Sequence, residues 1–435
     1  MSSADVAMIQ GTEDSELTPE KVLEIGKTLG MQYKYITVGM NMNPSSMMVL
    51  SSLMAGMTST GADVRNAGIL PTPAIPFASE KTECCVMVGN PDDQDRVSGL
   101  TFLNTDGRYF NGPQMFAFSN RLSGDKILSN YNSIGNVRTY NGALDKYKKK
   151  ISEFVGTADC QVVIDCASDS PSYVVPNIMK TIGADAMMVS CQTDLRQRGT
   201  WANPEEYNIR MLSKIVRANF GSIGIALNSD GTRIGALDEN GESISGDALL
   251  QLFIKYLQPR KIAVPIDVTM GVREQFKGSV KLCKTGNESI AETMKIDGIE
   301  FGGTSDGTFV FRSNSYASDG IAAAALLAKI ATEASIGDMI DELPTYCRDE
   351  DIIRYPANRE IIARRISSMV NDLDYHELTV TDGWRVEMES GWFLIRFSDE
   401  DYTIDIKSEG TDRIYTAGMM EIAKDIVTSA IKAVQ

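Results

Sequence analysis

The chain has 435 residues, 43% hydrophobic and 23% charged. That is enough to fill several globular cores, and at ~100–200 residues per domain three or four are expected. Its 58 acidic residues outnumber 42 basic ones for a net charge of −16, which argues against a nucleic-acid partner, because grip on a phosphate backbone comes from clustered Lys and Arg.

In chain order, the opening MSSADVAMIQGTEDSELTPE lacks the basic and apolar regions of a signal peptide. KYITVGM then reads as a strand and SSMMVLSSLMAGMTSTG as the helix after it. The basic run Lys146-Tyr147-Lys148-Lys149-Lys150 reads as a solvated helix face. Strand–helix pairs recur in CQVVIDCA with PSYVVPNIMKTIG, SIGIAL with DALLQLFIKYL, KIAVPIDV with GVREQFKG, and GIEFGG with DGIAAAALLAKIATEA. This alternation predicts βαβ units around mostly parallel sheets, repeated as three α/β modules. The most apolar run, IAAAALLAKI, is too short to span a bilayer, so no membrane association is expected.

After Asp374 the pattern changes to period two, with turn signals at Asp382-Gly383 and Ser390-Gly391. A hairpin-rich sheet is predicted, closed by the helix YTAGMMEIAKDIVTSAIKAVQ. The expected fold is three tandem α/β domains with mixed sheets plus a smaller C-terminal α+β domain around a central cleft. The expected boundaries are 1–156, 157–259, 260–369 and 370–435. Seven cysteines without a CxxC pair or Cys/His metal spacing imply reduced thiols in a cytoplasmic protein. His376, the only histidine, excludes any mechanism that needs two and reads as a surface imidazole at a strand start.

Several ordered stretches resemble the α-D-phosphohexomutase family, which includes phosphomannomutases, phosphoglucomutases and phosphoglucosamine mutases. They are ELTPEKVLEIGKTLG, the turn GILPTPA, LTFLNTDGRYF, DGIAAAALLAKI and DGWRVEMESGWFLIRFS. The resemblance covers essentially the whole chain. It implies phosphoryl transfer between two hexose hydroxyls through a phosphoserine, with Mg²⁺ neutralising the moving group.

At the family's functional loops this sequence departs from the pattern. The catalytic serine of T-A-S-H-N-P falls on Val88, which has no oxygen to phosphorylate, and Asp92, Asp93 and Asp95 follow. Ser98 is the nearby hydroxyl that could substitute. In the metal loop D-G-D-x-D-R, Asn228 and Thr232 replace two aspartates while Asp230 and Arg233 remain. One carboxylate in place of three predicts weak Mg²⁺ binding. The sugar loop G-E-x-S-G-H aligns with Gly303 to Thr308, leaving Thr304, Ser305, Asp306 and Thr308 as ligand candidates. In the phosphate loop Arg396 and Ser398 match, but Asp399, Glu400 and Asp401 follow and Asp405 takes the place of a second arginine. Near the N-terminus, Gln10, Met40, Asn41 and Asn43 stand at arginine-bearing motifs.

These departures predict a catalytically degenerate homologue, a pseudoenzyme with a structural or regulatory role linked to sugar-phosphate metabolism. It would have a protein partner, an active mutase or a second copy of itself, and no cofactor. Two alternatives stand beside it. One is an active phosphohexomutase with atypical site residues that uses Mg²⁺; the other is a non-catalytic sugar-binding protein.

Overall fold

A computed structural model describes residues 7–12, 14–89, 98–192, 207–356, 358–398 and 402–433. Among them, four sheets follow one another along the chain. The first has six strands in the spatial order Met8–Gly11, Ser98–Leu103, Cys84–Gly89, Tyr35–Met40, Asp63–Ile69, Val137–Thr139. Its last four strands are parallel and its first two antiparallel. The second sheet runs Ser243–Ile244, Ile234–Leu237, Ile223–Leu227, Gln161–Asp165, Asp185–Val189, again part parallel and part antiparallel. The third runs Ser279–Cys283, Lys261–Pro265, Phe301–Gly303, Phe309–Phe311, with only the last pair antiparallel.

The fourth sheet is wholly antiparallel: Cys347–Arg354, Thr403–Gly410, Gly391–Phe397, Trp384–Met388, Glu377–Thr379. The two turn signals do separate its last three strands. The sheet also takes a strand, Cys347–Arg354, and a helix, Arg359–Asn371, from upstream of the expected boundary at 369. Ile362, Ile366 and Val370 of that helix share a core with Val386, Phe393 and Ile406, so domain 4 begins near Cys347. The boundary expected at 259 moves as well, because Phe253 of the helix Gly246–Leu257 packs edge-on against Phe309 of the third sheet at 4.8 Å. Burial of an amphipathic face outranks proximity in sequence when a helix chooses its sheet.

Local signals explain the helix starts. Thr18 caps Pro19–Gln32, with proline in the first turn where no N–H is needed. Asn111 and Gln114 form a reciprocal capping box at Gly112–Leu122. Asp319 caps Gly320–Glu333, which is buried on every side, including Ala322 to Ala325. Its run of alanines lets strands and helices of all three α/β domains approach it closely, and one hydrophobic cluster runs from Ile75 through Ile225 to Phe309. Within Ala143–Val155, the basic run is solvated except for Tyr147, which is fully buried. No helix among the described residues is long and apolar enough to cross a membrane.

Candidate functional site

The three α/β domains meet at the turn Asn228–Arg233, between the strands Ile223–Leu227 and Ile234–Leu237 of domain 2. The turn is held by its own polar side chains. Asn228 Oδ1 accepts the Arg233 N–H at 2.9 Å, and Asp230 Oδ1 accepts the Thr232 N–H at 3.1 Å and its hydroxyl at 2.6 Å. Gly231 has φ +75, and a Cβ there would lie 2.9 Å from Ile321 Cδ1, so the position suits glycine on both counts.

Neighbouring domains fasten onto this turn through its backbone. Thr72 N–H donates to the Asp230 carbonyl at 2.9 Å and Gly320 N–H to the Gly231 carbonyl at 3.0 Å. From within domain 2, Ser170 Oγ donates to the Ser229 carbonyl at 2.8 Å. Thr72 also donates its hydroxyl to Asp230 Oδ2 at 3.2 Å. Burial holds the Asp230 carboxyl above its ordinary range.

Both oxygens of Asp230 are thus engaged by protein donors, and the Asn228 amide nitrogen faces Thr232 Oγ1 at 3.0 Å. No group of three or more His, Cys, Asp or Glu side chains among the described residues could hold a metal ion. These residues do not fit Mg²⁺: a hard cation needs several charged or free oxygens, and this turn offers one carboxylate already saturated with hydrogen bonds.

Arg233 forms a bridge with Thr308 of domain 3, and Ile234 N–H donates to the Gly307 carbonyl at 3.0 Å. Gly307 has φ +85, and a Cβ there would come within 2.0 Å of the Ile234 carbonyl oxygen. Only glycine lets the two loops touch. A cavity of about 160 Å³ opens at this seam, lined by Arg233, Ser305, Asp306 and Gly307 among others. Behind it Asp306 Oδ1 accepts the Thr308 N–H at 3.0 Å and the Thr304 hydroxyl. Thr308 Oγ1 is buried without a hydrogen-bond partner. So Arg233, distant in sequence, and the 304–308 loop with Thr304, Ser305, Asp306 and Thr308 form one constellation.

Arg396 sits elsewhere, at the seam of domains 3 and 4. Its guanidinium donates to Thr285 Oγ1 and to Asp405 Oδ2, each at 2.8 Å, and lies 3.7 Å from Asp382. Two carboxylates compete there with any phosphate. Ser398 N–H closes the strand pair by donating to the Thr403 carbonyl at 2.9 Å. The acids Asp399, Glu400 and Asp401, like Asp92, Asp93 and Asp95, lie outside the described residues.

Val88 is an interior strand residue, paired with Leu100 and fully buried in the domain 1 core. A side chain at 88 points into that core. Ser98 is also fully buried, its hydroxyl 2.7 Å from that of the half-buried Ser45. The neutral residues at the arginine positions hold the same loop. Asn41 Oδ1 accepts from Ser46 Oγ at 2.7 Å, and Asn43 Oδ1 from Ser45 Oγ at 3.0 Å. Gln10 is paired with Gly99 along the sheet edge.

The sequence reading missed Asp169 and Thr72. Asp169 Oδ1 accepts the N–H of Met42, from domain 1, at 2.7 Å and that of Ser170 at 2.5 Å. Burial, with a smaller contribution from Asp230, pushes its carboxyl up to about 7. The visible signal was Asp before Ser-Pro, a helix-start pattern. Thr72 was in view within the turn GILPTPA, but nothing in its spacing indicated a carboxylate 158 positions away.

The chain matches the family profiles described as phosphoglucomutase/phosphomannomutase α/β/α domains I, II and III over residues 5–122, 139–241 and 245–346. It is 30% identical to a protein named probable phosphoglucosamine mutase of Methanosarcina barkeri, covering 98% of both chains. A phosphoglucosamine mutase of Methanococcus maripaludis is 25% identical over 97% of this chain and 98% of its own. In fold the chain resembles a phosphoglucomutase/phosphomannomutase family protein of Burkholderia thailandensis, with TM-score 0.85 at 20% identity over 99% and 98% of the two chains. These relationships overturn the expectation of a non-enzymatic pseudoenzyme: full-length relatives are named as mutases. That expectation counted altered motif letters, of which Val88 is a core position.

Proposed function

The chain belongs to the phosphoglucomutase/phosphomannomutase family of α-D-phosphohexomutases, and on that premise we propose that it is a phosphohexose mutase acting on a phosphorylated aminohexose of the glucosamine phosphate class. The substrate class follows the names of its full-length relatives. The observation that carries the reading is the cavity in which Arg233 meets the Ser305–Gly307 turn. A guanidinium supplies bidentate donors for a phosphate, while hydroxyls and a carboxylate on the facing turn suit ring hydroxyls or an amine.

In the reaction one P–O bond forms as another breaks, and the sugar must present either end to the same site. Arg233 neutralises and orients a phosphate; Asp306, braced by the Thr308 N–H, accepts a hydrogen bond from the hexose. The doubly fastened turn at Asp230 keeps Arg233 at a fixed distance from the domain 3 loop. No step is assigned to Mg²⁺, because Asp230 and its neighbours are already satisfied. A cytoplasmic setting is part of this reading, supported by seven free cysteines.

The test is ³¹P NMR of purified protein with glucosamine 6-phosphate, repeated with the glucose and mannose phosphates. Interconversion of the 6- and 1-phosphates that is lost in a folded Arg233→Gln variant supports the reading. Failure to interconvert any of the three, or turnover indifferent to Arg233→Gln, would sink it.

A further inference from the structure

We propose that domain 3 carries a second ligand site, between the helices Gly246–Leu257 and Met270–Gln275, that takes a small phosphorylated heterocycle of nucleoside monophosphate size. The inference does not depend on the mutase reading. A cavity of about 520 Å³ lies there, within the ~300–1,000 Å³ of small-molecule sites. None of the Arg233 cavity's lining residues is shared with it.

Its floor is Gln251, only 5% exposed. The amide nitrogen donates to the Asp247 carbonyl at 3.3 Å, while Oε1 has no hydrogen-bond partner. A buried carbonyl oxygen left unpaired is unfavourable, so this oxygen marks a place for an incoming N–H or O–H. The bare backbone of Gly271 stands beside it, since a Cβ there would lie 2.6 Å from Oε1. Ile254, Val272 and Phe276 supply apolar walls, and Lys255 and Lys277 stand exposed at the rim. Lys255 already holds Glu342 at 2.8 Å; Lys277 makes no ion pair among the described residues and is the freer cation.

These features define the ligand: one donor pointing inward, a flat apolar body, and an anionic group facing two ammonium groups. A sugar phosphate would set several hydroxyls against Ile254, Val272 and Phe276 without partners, which is costly. In a nucleoside monophosphate the flat base can lie against these walls with its exocyclic amine inward, while the ribose hydroxyls and the phosphate face the exposed rim at Lys255 and Lys277. The site also reaches domain 4. On the short helix that forms one wall, the Met270 N–H donates to Glu409 at 2.6 Å, and Arg273 pairs with Glu377 at 2.8 Å and Glu387 at 2.5 Å. Tyr346, just before the first strand of domain 4, donates to Glu274 of the same helix. A ligand that orders this helix therefore stiffens the attachment of domain 4.

The experiment titrates the full chain calorimetrically with adenosine 5′-monophosphate, adenosine and inorganic phosphate, and follows hydrogen exchange at 270–276. The nucleotide is expected to bind saturably, at least about tenfold tighter than phosphate or adenosine, with slowed exchange in that helix. Lys277→Gln, a surface change, should weaken it about tenfold; Gln251→Leu should do likewise if it folds, and Lys277→Gln carries the test if it does not. Arg233→Gln should leave binding unchanged. Absence of saturable nucleotide binding, equal binding of phosphate alone, indifference to Lys277→Gln, or loss with Arg233→Gln would each overturn the proposal.

Discussion

Thr72 and Asp230 are joined twice: the threonine N–H meets the aspartate carbonyl at 2.9 Å and its hydroxyl meets Oδ2 at 3.2 Å. One residue belongs to domain 1 and the other to domain 2, so this pair holds the angle at which the two domains face each other. Asp230→Ala leaves the Thr72 and Thr232 hydroxyls and one amide without an acceptor. A loss of about 2–4 kcal/mol is expected, read as a lower urea midpoint at unchanged slope. Thr72→Val removes one bond and should cost about 1 kcal/mol.

Asp169 makes stability depend on pH. Its carboxyl rises from an ordinary value near 3.8 to about 7 in the folded protein, so between those values the native state holds the extra proton. Stability contributed by the protonated form is fully present below the unfolded value and is lost as pH rises through about 7. An Asp169→Asn variant still offers an acceptor to the Met42 N–H and does not ionise. It should match the parent near pH 4 and exceed it by about 1–2 kcal/mol near pH 8, a figure reduced because the side chain keeps a solvent-facing edge. Melting curves of both proteins across that range would show a constant offset if the argument were wrong.

Arg385 fixes domain 4 to domain 3. Fully buried, it donates to the Ile266 carbonyl at 2.5 Å and the Val268 carbonyl at 2.7 Å, pairs with Glu387 at 2.7 Å and stacks on Trp392 at 4.1 Å. Arg385→Ala strands the two carbonyls while Glu387 keeps its pair with Arg273, and a cost of about 2–4 kcal/mol is expected. Limited proteolysis should then cleave near residue 346 faster than in the parent, and an unchanged cleavage rate would place the attachment elsewhere.

Among the seven cysteines, Cys191 is expected to react first. Neighbouring Cys166 holds its thiol down to about 7, whereas burial holds Cys85 and Cys283 up to about 12. Iodoacetamide labelling followed by peptide mass spectrometry should show Cys191 modified first, with a rate that climbs through neutral pH. Equal labelling of Cys191 and Cys283 would contradict the assignment.

Mg²⁺ titration should find no specific site at residues 228–233, because Asp230 is saturated by Thr72 and Thr232. Changing Asn228→Asp and Thr232→Asp together removes the hydroxyl donor from Asp230 Oδ1, which keeps only the backbone N–H of residue 232, and adds two carboxylates. Stoichiometric binding in that variant, by calorimetry, is the expected outcome; binding in the parent would show that the turn rearranges.

The order of strands and helices, the hairpins at Asp382-Gly383 and Ser390-Gly391, and the four-domain class were legible from the sequence, because periodicity and turn residues act locally. The family resemblance marked Arg233 and the residues from Thr304 to Thr308, as positions aligned with its metal and sugar loops, where local polarity alone reads as ordinary turns. Tertiary structure decided what each of these faces. Val88 aligned with a catalytic position yet is a core side chain, because strand register, which no single segment specifies, turns it inward. Asp169 is an unremarkable turn residue until Met42 and Asp230 approach it from distant parts of the chain. Cys347–Arg354 reads as belonging to domain 3 until Thr403–Gly410 pairs with it along its whole length. In each case the deciding energy is a contact between residues far apart in the chain, and only closing the fold brings them together.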